Sequence, residues 1–111
     1  MRRLLLAVTG ALLLAGAMAA PSLSAGKSVK IGDNFFVKNG GATVTVKKGT
    51  SVTWKWTGHN PHNVTVTSGP AKFHSKTQMS GSFSHKFTKA GTYSILCTIH
   101  APGMKMKVVV K

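Results

Sequence analysis

The sequence predicts an all-β fold, a sandwich of two sheets closed over one core. Apolar residues recur at every second position in one segment after another from residue 29 to the C-terminus. Gly, Pro, Asn and Ser separate those segments, and no helix-period pattern of useful length follows residue 25. Each segment therefore has one apolar face and one Thr, Ser or Lys face. Two such sheets bury their apolar faces by packing on each other.

The elements follow in order. Residues 1–25 are expected to be an export signal and leader. Arg2-Arg3 is a short basic region, Leu4 to Ala20 is apolar apart from Thr9, and Ala17-Met18-Ala19 is a small-x-small cleavage site. Gly10, Gly16 and the alanine-rich end favour a removed signal over a permanent anchor. Residues 26–111 then form one small domain. Val29 and Ile31 share one face of a first strand. Val44 and Val46 follow, with a turn at Lys48-Gly49-Thr50. Val52, Trp54 and Trp56 make the next strand, and Val64 and Val66 another. Residues 68–81 are the longest irregular stretch, with room for a helical turn. Phe83, His85 and Phe87 alternate with Ser84 and Lys86 before the turn Lys89-Ala90-Gly91. Tyr93, Ile95 and Cys97 share a face, as do Met104, Met106, Val108 and Val110.

Composition excludes several functions. The net charge is +14 and Asp33 is the only acidic residue, so chemistry that needs a pair of carboxylates is impossible. One cysteine permits no intramolecular disulfide, and a domain this small is more readily stapled by a metal. The positive surface suits acidic protein partners, or peripheral association with anionic surfaces. Nucleic acid fits the charge but not an exported chain, and no permanent membrane span is expected.

The chemistry concentrates in two places. Cys97-Thr98-Ile99-His100-Ala101-Pro102-Gly103-Met104 places a thiol, an imidazole and a thioether in one loop, and Asn60-Pro61-His62-Asn63-Val64 adds an imidazole at the mouth of a strand. Two histidines, one cysteine and one methionine suit a single copper ion of the electron-transfer type. Thiolate and thioether favour the cuprous state, and imidazole serves both states. His59 competes with His62, but His62 adjoins the strand. Met106 competes with Met104, but it lies further into its strand and is expected in the core. His85, between Phe83 and Phe87, reads as a packed core residue, His74 as a surface one, and Trp54 and Trp56 as core.

On these segments the chain resembles the cupredoxins, small blue (type 1) copper proteins of the plastocyanin, pseudoazurin and amicyanin type. The resemblance rests on Gly32-Asp33-Asn34-Phe35-Phe36, Val44-Thr45-Val46-Lys47-Lys48-Gly49, Pro61-His62-Asn63-Val64, Phe87-Thr88-Lys89-Ala90-Gly91-Thr92-Tyr93, and Cys97 to Met104. It implies an eight-stranded Greek-key sandwich, with His62, Cys97, His100 and Met104 as copper ligands. It also implies that Asn63 braces the cysteine loop, through its N–H to the Cys97 sulfur and through the Thr98 hydroxyl. Three residues separate His100 from Met104, where plastocyanins have four and amicyanins two. Ile99 stands where many relatives have proline, which leaves an N–H free to donate to the Cys97 sulfur.

The expected function is therefore that of a soluble one-electron carrier with one copper per chain, not an enzyme. It would act in the periplasm or on an extracytoplasmic surface as a monomer. Electrons would pass through His100 to acidic redox proteins docked around it. The alternatives are a periplasmic copper chaperone or buffer that uses the Met104/Met106 pair, and a metal-free basic module for anionic polymers.

Overall fold

The computed structural model describes residues 26–111; the leader expected over residues 1–25 lies outside the described residues. Eight strands follow in order: β1 (Lys27–Gly32), β2 (Phe35–Phe36), β3 (Thr43–Val46), β4 (Ser51–Trp56), β5 (Thr65–Ser68), β6 (Ser82–Lys86), β7 (Gly91–Leu96) and β8 (Lys105–Val110). Seven of them fall where alternation predicts. The addition is β2, whose two residues are too few for any period to register.

The strands form two four-stranded sheets, ordered β2-β1-β4-β6 and β3-β8-β7-β5. Each is mixed. Parallel pairing sets Val29 beside Trp54 in one sheet and Val44 beside Val108 in the other, while β7 and β8 are antiparallel with Tyr93 opposite Val108. The expected Greek-key sandwich is the observed architecture. Period-two patterning sends Val52, Trp54 and Trp56 inward from β4 and Met106, Val108 and Val110 inward from β8, all of them buried. Through the core runs an aromatic chain, Trp54 to Phe87 at 6.3 Å and Phe87 edge-on to Tyr93 at 4.8 Å between ring centroids. Contacts of this kind add about 0.5–1.5 kcal/mol each beyond the area they bury. The Tyr93 hydroxyl meets its own need by donating to the Lys89 carbonyl at 2.7 Å.

The stretch after β5 differs from expectation. Among the described residues no helical turn forms there; the chain runs back as an extended strap along the segment that holds His62. His62 and Gln78 exchange backbone hydrogen bonds, each of 3.0 Å. The Ser75 N–H donates to the Val64 carbonyl at 2.8 Å, and the Val66 N–H to the Phe73 carbonyl at 3.0 Å. Backbone groups at a sheet edge need partners once water is excluded, and the strap supplies them.

His85, expected in the core, is half-buried instead. Its ring stacks on Phe73 at 3.7 Å and 13° and meets Phe87 edge-on. Burial pushes its pKa below the ordinary histidine value. As pH falls through about 6.5 the unfolded chain takes up the proton first, so His85 withdraws stability below that pH. Urea denaturation of the metal-free protein at pH 7.5 and pH 5 is expected to show this loss. In His85→Phe, which keeps the stack, the loss should be smaller; an equal loss would absolve His85.

Candidate metal centre

At one end of the sandwich, the segment leading into β5 and the loop between β7 and β8 come together. His62 and Cys97 are both fully buried and His100 is partly exposed. Each offers one donor atom, and the three donors lie within 4.8 Å of one another. His62 Nδ1 and His100 Nδ1 are 3.2 Å apart, and Cys97 Sγ is 3.6 Å from His100 Nδ1. Two Nδ1 atoms and a sulfur turned to one point serve a cation better than they serve each other. At most one proton can sit between the two nitrogens, whereas a metal uses both lone pairs and the thiolate together. The donor set fits copper.

Met104 sits beside this group through the backbone of its loop. The His100 N–H donates to the Cys97 carbonyl at 3.3 Å, the Met104 N–H to the His100 carbonyl at 3.2 Å, and the Cys97 N–H to the Met104 carbonyl at 3.0 Å. These three bonds close residues 97–104 into a compact turn with Met104 buried at its base. Met106, its rival, has its sulfur engaged elsewhere: the Trp54 Nε1–H donates to Met106 Sδ at 3.4 Å inside the core. His59, the rival of His62, is 96% exposed and lies outside the donor group.

Asn63 joins the two segments. Its Nδ2 donates to Thr98 Oγ1 at 2.8 Å and to Thr77 Oγ1 at 3.0 Å, while its Oδ1 accepts from the Thr98 N–H at 3.2 Å and the Thr65 hydroxyl at 2.8 Å. The brace onto Thr98 is as the resemblance implies. The contacts expected at the Cys97 sulfur, from the N–H groups of Asn63 and Ile99, are not among the hydrogen bonds of the described residues. Asn63 instead acts through its side chain, and the sulfur faces His100 Nδ1. Ile99 is 48% exposed.

Two supports were not legible beforehand. Trp56, read only as core, also donates its indole N–H to the His62 carbonyl at 3.2 Å. A buried indole N–H seeks an acceptor, which was the available signal. Asp33, in the turn between β1 and β2, accepts the backbone N–H groups of His59 at 2.8 Å and Asn60 at 2.9 Å. Those bonds, from Asn60 first and then His59, hold its carboxyl below the ordinary value of 3.8. The same carboxylate lies 3.5 Å from His62 Nε2. Burial is the main influence on His62 and pushes its pKa down, with Asp33 opposing.

A two-sheet sandwich with histidine, cysteine and histidine gathered at one end defines a cupredoxin-type copper protein. A family model described as copper binding proteins, plastocyanin/azurin family, matches residues 25–111, and the chain belongs to that family. Amicyanin-alpha of Methylorubrum extorquens is 42% identical over 72 residues, covering 61% of this chain and 60% of that protein. The chain thus spans about 60% of the length of that relative. The reduced state of an amicyanin mutant superposes with a TM-score of 0.63 at 33% identity, covering 78% of this chain and 82% of the other. The Cu(I) form of a second amicyanin mutant gives 0.64 at 31% identity, covering 81% and 86%. A copper-containing nitrite reductase from Thermus scotoductus shares the fold alone, with a TM-score of 0.66 at 22% identity over 84% of this chain and 24% of that one.

Asn63→Ala would leave the Thr98 N–H and three hydroxyl groups short of their partner. Thr98 and Thr77 are exposed and Thr65 is half-buried, so water can take up these groups and the cost is the net worth of the lost bonds, about 0.5–1.5 kcal/mol each. Chemical denaturation of the metal-free protein is expected to show a loss of about 2 kcal/mol. A variant as stable as the parent would remove Asn63 from the role of brace.

Proposed function

We propose that this protein is a soluble one-electron carrier whose single copper is held by His62, Cys97, His100 and Met104. The observation that carries the reading is the convergence of two Nδ1 atoms and one thiol within 4.8 Å at a buried sandwich end. Copper there supplies a one-electron couple between its cupric and cuprous states. The residues supply a setting that favours the lower charge. A lone thiolate makes the site about neutral in the cuprous state and positive in the cupric state, and an apolar pocket disfavours the charged form. Thirteen lysines against one carboxylate push the same way. Strand ends and the loop bonds hold the donors in place, so little has to move between states.

His100 is the electron route, because it is the donor residue that reaches the surface. Ala101, Pro102 and Gly103 beside it are exposed and small enough to leave its ring edge accessible to a partner. Lys105 lies two residues beyond Gly103. Surrounding positive charge would steer acidic redox proteins to this end, and a small interface lets them leave quickly. Residues 1–25 would direct export, which places the carrier in the periplasm or on an extracytoplasmic surface as a monomer. The chaperone reading drew on a Met104/Met106 pair, and the engagement of Met106 by Trp54 counts against it. With four donors no coordination position remains for a substrate, which favours a carrier over an enzyme.

Adding cupric ion to the purified protein should produce an intense blue thiolate-to-copper band with the matching EPR signature. Cys97→Ser should stay colourless. A colourless parent protein would overturn the reading. Electron exchange with an acidic redox protein should slow about tenfold or more as salt rises from low to physiological strength, where the screening length is about 8–10 Å. A flat salt profile would remove electrostatic steering.

A further inference from the structure

The one carboxylate in the chain is built into the support of His62. Asp33 accepts two consecutive backbone N–H groups, from His59 at 2.8 Å and Asn60 at 2.9 Å, in the loop that delivers Pro61 and His62. The same oxygen, Oδ1, faces His62 Nε2 at 3.5 Å. That nitrogen is buried and, among the described residues, has no partner within good hydrogen-bond geometry. Ordinary N–H···O bonds are 2.7–3.2 Å long, and 3.5 Å is loose contact, yet no other acceptor among the described residues satisfies the atom. The approach is tight on the far side too: a Cβ at Gly58 would collide with the Asp33 carboxylate. Asn34, in the same turn, adopts a left-handed φ of 72°, which Asn tolerates better than most residues.

We propose that Asp33 is a positioning residue: it holds the proton of His62 on Nε2 and thereby presents the Nδ1 lone pair to the metal. Three consequences follow from chemistry. A neutral imidazole carries one proton, and the acceptor beside one nitrogen decides which nitrogen keeps it. With Asp33 at Nε2, the Nδ1 atom facing His100 and Cys97 is free to donate. The two backbone bonds fix the carboxylate, so His62 is oriented before metal arrives. A negative charge at this distance also stabilises the cupric state, opposing the lysine surface locally. The inference rests on the reading of His62 as a ligand, and the test separates the two.

The experiment compares the protein with Asp33→Asn, which keeps an acceptor oxygen and loses the charge, and with Asp33→Ala, which loses both. Asp33 is 38% exposed, so neither change opens a core. In the metal-free protein, two-bond proton–nitrogen NMR reports the His62 tautomer. The Nε2–H form should dominate in the parent and in Asp33→Asn and become mixed in Asp33→Ala. Copper(I) affinity should fall about 10–100-fold in Asp33→Ala, as for loss of a partner behind a metal ligand, and less than tenfold in Asp33→Asn. The reduction potential should rise in both variants. Gly58→Ala, which displaces the carboxylate without removing it, should mix the tautomer as Asp33→Ala does. An Asp33→Ala protein with the parent's tautomer and copper affinity would overturn the proposal, as would Asn and Ala variants equally weakened with the tautomer unchanged. Absence of the blue band in a parent protein that shows the Nε2–H form would instead defeat the carrier reading and leave the positioning role standing.

Discussion

The centre depends on holding residue 62 against residues 97–104, across 35 positions of sequence, and the Asn63–Thr98 pair does this directly. Its two bonds run in opposite directions, Nδ2 to the Thr98 hydroxyl and the Thr98 N–H to Oδ1. A reciprocal pair fixes both separation and orientation, where a single bond would leave a pivot. Asn63 is 4% exposed, so water offers its amide little competition. Around this pair the remaining supports fall into place. The 73–78 strap fixes the edge, Trp56 holds the His62 carbonyl, and the closed 97–104 turn sets His100 beside Cys97. The donors are thus arranged by polypeptide contacts independent of the metal, which is the condition for a centre whose geometry barely changes between oxidation states.

How much of this was legible follows from the range of each interaction. Period-two alternation is local, so the seven longer strands and the inward faces of β4 and β8 could be read from sequence. The loop from Cys97 to Met104 is local as well, and its donor chemistry is dense enough to identify. What escaped was non-local. Nothing in the spacing of Phe73, Ser75 and Gln78 says that they will pair with the edge at His62 to Val66, because pairing is decided by which edge is left open. In the sequence Asp33 stands out only as the single acid and as part of the Gly32-to-Phe36 stretch. Its contact with His59, Asn60 and His62 exists only once β1 and β4 lie side by side, with Ile31 opposite Trp56.

Charge acts at two ranges here. The lysines are spread over both sheets and define a long-range field that salt screens within about 10 Å. Asp33 acts within 4 Å of the His62 ring, and it is held there by backbone rather than by a mobile partner side chain. A chain with so large a positive excess would gain little globally from one carboxylate. Its value lies in position, at the back of a buried imidazole. The same reasoning explains why Asp33 tolerates 38% exposure: two donated N–H groups fix the oxygen that matters, while the other lies 3.9 Å from Nδ1 of the exposed His59.

The choice between Met104 and Met106 shows how the core disciplines the site. The two residues are two apart, so strand parity gives them the same inward face, and in the sequence only depth along the strand separates them. Both are buried, Met104 at 1% and Met106 at 3% exposure. The distinction comes from the opposite sheet. Trp54, central in β4, has an indole N–H that burial obliges to find an acceptor, and Met106 Sδ at 3.4 Å provides it. That bond ties β4 to β8 across the sandwich and commits the Met106 thioether to the core. Met104 precedes β8 and belongs to the loop, where its carbonyl and N–H are already joined to Cys97 and His100. An inter-sheet contact between two residues read simply as packing therefore engages one methionine in the interior and leaves the proposed ligand role to the other.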